Sequence, residues 1–134
     1  MRIAIATAAL ILAASAQAQP LNCANAATQT DMNLCADQAY RQSDAALNKA
    51  YKTVIERLKD DRTKTTQLQA AQKAWLFFRD AECAFSASGT TGGSGYPMVL
   101  SRCLDTLTQA RTKELDAYLK CEEGDLSCPV PGRQ

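Results

Sequence analysis

From Leu21 to Ser88 the chain holds neither glycine nor proline, and its apolar positions recur at three- and four-residue steps. That is the period of α-helices with one buried stripe. A first helix is predicted from near Thr28, where Thr28 and Asp31 have the spacing of a capping box. Its stripe runs through Met32, Cys35, Ala39, Leu47, Tyr51, Val54 and Leu58 for roughly 30 residues, or about 45 Å. Lys59, Asp60, Asp61 and Arg62 read as the polar turn that ends it.

A second helix follows from about Lys64, with Leu68, Ala71, Trp75, Phe78 and Glu82 on one face. Gly89 should stop it. Residues 86–96 then form a loop of Ser, Thr and Gly, and Pro97 suits the first turn of a third helix. Leu100, Cys103, Leu104, Leu107, Leu115 and Tyr118 give the third stripe, ending near Cys121 to Gly124. No alternating strand pattern is present. The expected fold is all-α: a small antiparallel three-helix bundle with a long first helix, stapled by disulfides.

The N-terminus reads differently. Met1 and Arg2 precede a twelve-residue apolar run, and Ser15 to Ala18 end it with small residues. Residues 1–18 are expected to be a secretory signal peptide, cleaved after Ala18. The run is too short to span a bilayer, which takes about 20 apolar residues. No lipid-anchor motif precedes Cys23. The organisation expected is a leader at 1–18, a helical domain at 19–121 and a short disulfide-tethered tail at 122–134, with no membrane insertion after cleavage and a periplasmic or secreted location.

Composition narrows the chemistry. The 134 residues include six Cys and no His, with 15 Lys and Arg against 14 Asp and Glu. Without Arg2 the remaining chain is formally neutral. Zero His removes Ser-His-Asp triads, Cys-His dyads and His-ligated zinc. A near-zero net charge gives no field for nucleic acid. No cofactor fingerprint or metal motif is present, and no catalytic residue is assigned.

Outside the cytosol the cysteines should be disulfides. Antiparallel helices gather Cys23, Cys35, Cys83 and Cys103 at one pole and leave Cys121 with Cys128. Within the four, the favoured set is Cys23–Cys35 with Cys83–Cys103; the other is Cys35–Cys83 with Cys23–Cys103. None forms a C-x-x-C pair, so redox exchange is not indicated.

Trp75, Phe78, Tyr51 and Leu107 are read as core, since aromatic residues at helical spacing bury large area. Arg79, Asp80, Glu82 and Arg111 are read as a structural ion-pair cluster near the disulfide pole. Asp80 and Glu82, two apart on a helix, diverge too far to serve as a glycosidase pair. The loop is the candidate partner-binding element, through Thr90, Thr91, Ser94 and Tyr96 on a glycine backbone. The competing reading of the loop is a solvated connection that needs glycine to turn.

Several blocks together resemble a known family. They are Thr28-Gln29-x-Asp31-Met32-Asn33-x-Cys35-Ala36, Leu47-Asn48-x-x-Tyr51, Ala71-Gln72-x-Ala74-Trp75-x-x-Phe78-Arg79-Asp80-Ala81-Glu82-Cys83, Gly92-Gly93-Ser94 before Pro97-Met98, and Cys103-x-x-x-Leu107-Thr108-x-x-Arg111-x-x-x-Leu115. The chain is similar to the LprI-like lysozyme-inhibitor N-terminal domain, formerly a domain of unknown function. The resemblance spans roughly Cys23 to Tyr118. It implies an exported bacterial protein with a small helical, disulfide-bonded domain, and lysozyme as a partner. The family takes its name from a lipoprotein member, from which this chain departs by lacking a lipid anchor and by adding the Cys121–Cys128 tail. No inhibitory residue transfers by position. The second expectation is a non-catalytic envelope module that binds another protein through a helix face.

Overall fold

Three helices carry the chain in this computed structural model, which describes residues 21–132. They are α1 (Gln29–Arg57), α2 (Arg62–Ser86) and α3 (Tyr96–Tyr118). The expected leader at 1–18 lies outside the described residues. Thr28 caps α1: its hydroxyl accepts the Asp31 N–H at 3.0 Å and donates to the Asp31 carboxylate at 2.8 Å. Asp61 caps α2 by accepting the Lys64 N–H at 3.0 Å. Pro97 stands in the first turn of α3, where a missing N–H leaves nothing unpaired. α3 ends at Tyr118, a few residues short of the expected stop.

The helices run up, down and up, so α2 is antiparallel to its neighbours and α1 lies parallel to α3. The cross-links show the register. Asn33 donates to the Ser94 carbonyl at 2.9 Å, Ser43 donates to Asp105, and Arg57 donates to the Leu119 carbonyl at 2.8 Å. α1 and α3 pack along their whole length, while α2 meets mainly α3. Ser101 and Thr108, both buried, are small enough for the helices to approach closely.

The apolar core sits toward the pole where α1 turns into α2. Leu47, Ala50, Val54, Leu58 and Leu115 form it, with Tyr51, Leu68, Trp75 and Tyr118 packed around. Val130 belongs to the same cluster at 3% exposure, so the tail folds back over the bundle's open end. Cys121–Cys128, with Cα atoms 5.6 Å apart, closes the loop that brings it there. Gly124 turns that loop at φ 88°, a conformation that favours glycine.

The disulfides follow the local set. Cys23 joins Cys35 and Cys83 joins Cys103, each with Cα atoms 5.5 Å apart. By the chain-entropy model a loop of this size is worth about 3 kcal/mol. Cys83–Cys103 also fixes how α2 is rotated about its axis.

That rotation corrects one expectation. The inward line of α2 is Leu68, Gln72, Trp75, Arg79 and Cys83, turned by about 60° from the stripe expected through Phe78 and Glu82. Trp75, Tyr51 and Leu107 are partly buried, but Phe78 is 53% exposed and is not core. Phe77 at 79% and Phe85 at 75% also face solvent.

Replacing Val130 by Ala should cost on the order of 2 kcal/mol, from lost burial and the cavity left behind. Urea unfolding of the oxidised protein measures it. Asp61 gives a pH dependence. The Lys64 backbone N–H, and then the Lys64 side chain, hold its carboxyl below the ordinary Asp value. A depressed value means that the cap's contribution is present above the unfolded pKa and lost as pH falls through the folded one. Asp61→Asn should therefore show a smaller loss of thermal midpoint than the parent when both are taken from neutral pH to acid.

Candidate functional site

Two places gather the chemistry-bearing side chains: a cationic column between the helices and the glycine loop at the disulfide pole. Arg79 is the centre of the column and is only 6% exposed. It bonds Asp80 at 2.8 Å and, from the other helices, Asp44 at 3.4 Å and the Thr108 hydroxyl at 3.4 Å. Its guanidinium lies 5.3 Å from the Trp75 ring centre and 5.5 Å from that of Tyr40. Burial, opposed by the Arg79 charge, raises the Tyr40 phenol above its ordinary value. Arg111 stands 6.0 Å from the same Trp75 ring and bonds Gln72 at 3.1 Å and Glu114 at 2.7 Å.

The expected four-residue cluster is therefore rearranged. Arg79 and Asp80 do pair. Arg111 has its own partners and meets Arg79 only across Trp75. Glu82 is exposed and takes no part, because it points about 60° away from the inward line of α2. The sequence reading missed Asp44, Tyr40, Gln72, Thr108 and Glu114. A signal for Asp44 was present: an acid on the inward stripe of α1 faces an arginine on the inward stripe of α2. Both arginines of the column have their partners, so it pins helices and leaves no free cation for a ligand.

The loop is a chain of tight turns. The N–H groups of Thr90, Thr91, Gly93 and Tyr96 each bond the carbonyl three residues back. Gly92 has φ 80°, which favours glycine, and a side chain at Gly93 would press on the Thr90 carbonyl at 3.2 Å. Thr90 turns its hydroxyl inward to the Ala87 carbonyl at 2.8 Å, and Tyr96 is half-buried at the start of α3. Thr91 and Ser94 stay exposed at the tip. Asn33 holds the loop to α1 through the Ser94 carbonyl, and Gln29 packs 3.6 Å from where a Gly95 side chain would begin. Of the four candidate loop residues, two thus present side chains outward and two brace the loop.

Neither place joins a nucleophile to a base. Among the described residues no three His, Cys, Asp or Glu side chains converge as a metal would require, and no helix is long and apolar enough to cross a membrane. A cleft of 230 Å³ near the tail is lined by Val54, Leu68, Ala71, Tyr118 and Val130, and is mostly apolar.

The sequence profile of the family described as lysozyme inhibitor LprI matches residues 22–115. The chain belongs to the lysozyme inhibitor LprI family. Two relatives extend that match. A protein of Rhizobium meliloti (strain 1021), described as uncharacterized, is 36% identical over 138 residues, covering 92% of this chain and 99% of that protein. The uncharacterized protein YecT of Escherichia coli (strain K12) is 33% identical over 115 residues, covering 74% of this chain and 71% of its own length. A crystal structure of a DUF1311 family protein from Pseudomonas putida KT2440 superposes with a TM-score of 0.62. That alignment is 24% identical and covers 69% of this chain and 95% of the other, so it speaks for the fold. Against the LprI match, the tail that carries Val130 lies beyond the matched residues.

Arg79→Lys should lower stability by about 2 kcal/mol, because an ammonium keeps the charge but loses the fork and much of its hold on two rings. Glu82→Gln should stay within about 0.5 kcal/mol of the parent. Chemical denaturation of the two variants side by side separates them.

Proposed function

We propose that this protein is an exported inhibitor of lysozyme-type muramidases, and that the tip of the glycine loop enters the sugar-binding cleft. The observation that carries the reading is the LprI match over residues 22–115. The loop supplies the geometry. It is short, held by consecutive turns and closed by Cys83–Cys103, so docking would cost little conformational freedom. Hydroxyls at Thr91 and Ser94 on a glycine backbone suit a cleft whose catalytic groups are two carboxylates. Three disulfides fit an oxidising compartment outside the cytosol. The protein acts by occlusion and carries out no chemistry of its own.

The alternative is an envelope module that docks a partner through a helix face. The observation behind it is the outer face of α2, where Phe77, Phe78 and Phe85 stand exposed.

Clearing of bacterial cell walls by several lysozyme types, with and without the oxidised protein, tests the proposal. Inhibition near one-to-one stoichiometry is expected. Thr91→Ala with Ser94→Ala should weaken it about tenfold or more, the loss of one or two buried hydrogen bonds. Full inhibition by that double variant would remove the loop mechanism. No protection against any lysozyme type would remove the inhibitor reading and favour the partner-docking one.

A further inference from the structure

α2 is built inside out. The line it turns inward carries Gln72 and Arg79, while the line opposite is apolar from Ala70 to Phe85. Ala70, Ala74, Phe77, Phe78, Ala81 and Phe85 lie on that outer face, and all are exposed. No charged residue interrupts it. At about 200 Å² per phenylalanine, the three rings alone leave roughly 400 Å² of apolar surface in water. That already equals the largest patch of an ordinary monomer. With the three alanines the face comes to roughly 600 Å², the lower end of what each partner buries in a stable interface.

We infer that this face binds a second copy of the same chain, with α2 packed antiparallel on α2 about a two-fold axis between Phe77 and Phe78. The face is complementary to itself in that register. Phe85 falls opposite the partner's Ala70, Ala74 opposite the partner's Ala81, and Phe77 opposite the partner's Phe78. Large side chains meet small ones at the ends, and rings meet rings at the centre.

The flanking charges agree with the same register. Lys73 and Asp80 lie on one flank of the face, both exposed. A two-fold axis brings that flank against itself, reversed. Lys73 of one copy then stands about 3 Å along the helix axis from Asp80 of the other, within reach of its long side chain. The contact occurs twice. Arg79 bonds Asp80 through Oδ1, which holds the carboxylate in place on that flank. A parallel two-fold pairing would set that flank against the opposite one, where the nearest acid, Glu82, lies about 13 Å along the axis from Lys73, so the charges select the antiparallel one. The inference does not depend on what the glycine loop binds.

Sedimentation equilibrium of the oxidised protein, over a concentration series and without lysozyme, reads the association directly. A monomer–dimer equilibrium is expected. Phe77→Glu should abolish it with helical circular dichroism unchanged, since the side chain is exposed in the monomer. Lys73→Asp should weaken dimerisation about tenfold, the order of a lost cross-interface charge pair, while Lys73→Arg should keep it. A monomer at every concentration would overturn the inference, as would a dimer that Phe77→Glu leaves intact. Retention in Lys73→Arg beside loss in Lys73→Asp separates a defined interface from general stickiness. A Lys73→Asp dimer as strong as the parent would overturn the antiparallel register.

Discussion

The guanidinium of Arg79 lies where the three helices meet, and the position of α2 depends on it. α1 and α3 hold each other by a continuous seam of close-packed side chains. α2 has fewer contacts, and its inward line is half polar. A buried charge of this kind is tolerable only when its donors are used. Here one carboxylate comes from α2 itself, another from α1, a hydroxyl comes from α3, and the group lies over two aromatic rings. Each helix contributes, so the arrangement satisfies itself at one rotation and one height of α2. Cys83–Cys103, one helical turn away, imposes the same rotation covalently.

The two poles are secured differently. At one end, aliphatic packing is completed by Val130, a residue beyond the last helix. At the other, there is little apolar core, and two disulfides and a series of backbone turns take its place. The second end is the one that carries the exposed loop tip. A short loop fixed by covalent bonds can present polar groups without needing a hydrophobic base beneath it, which leaves its composition free to serve recognition.

The helices, the Thr28 cap and the favoured disulfide set were legible because each rests on near neighbours in the chain, whereas the Asp61 cap was read only as part of a polar turn. Thr28 and Asp31 are three residues apart, and the breaker-free run to Ser88 leaves little but helix. The rotation of α2 was not legible. Its sequence offers two overlapping apolar lines, one through Trp75 and Phe78 and another through Trp75, Arg79 and Cys83. Periodicity favours the line with more carbon. What decides between them is Asp44, thirty-five residues away on another helix. The same limit hid the inward turn of Thr90, whose hydroxyl satisfies a carbonyl of the preceding turn.

The parallel pairing of α1 with α3 bears on the order in which this chain becomes protein. Leu47, Val54 and Leu58 are covered in part by Leu115, on the far side of α2 in sequence. As the polypeptide is made, α1 emerges long before its main partner does. Contacts this distant in sequence form late, because their loops must close first. The oily stripe of α1 therefore stays uncovered until nearly the whole chain is available. The core is complete only once the last helix has arrived.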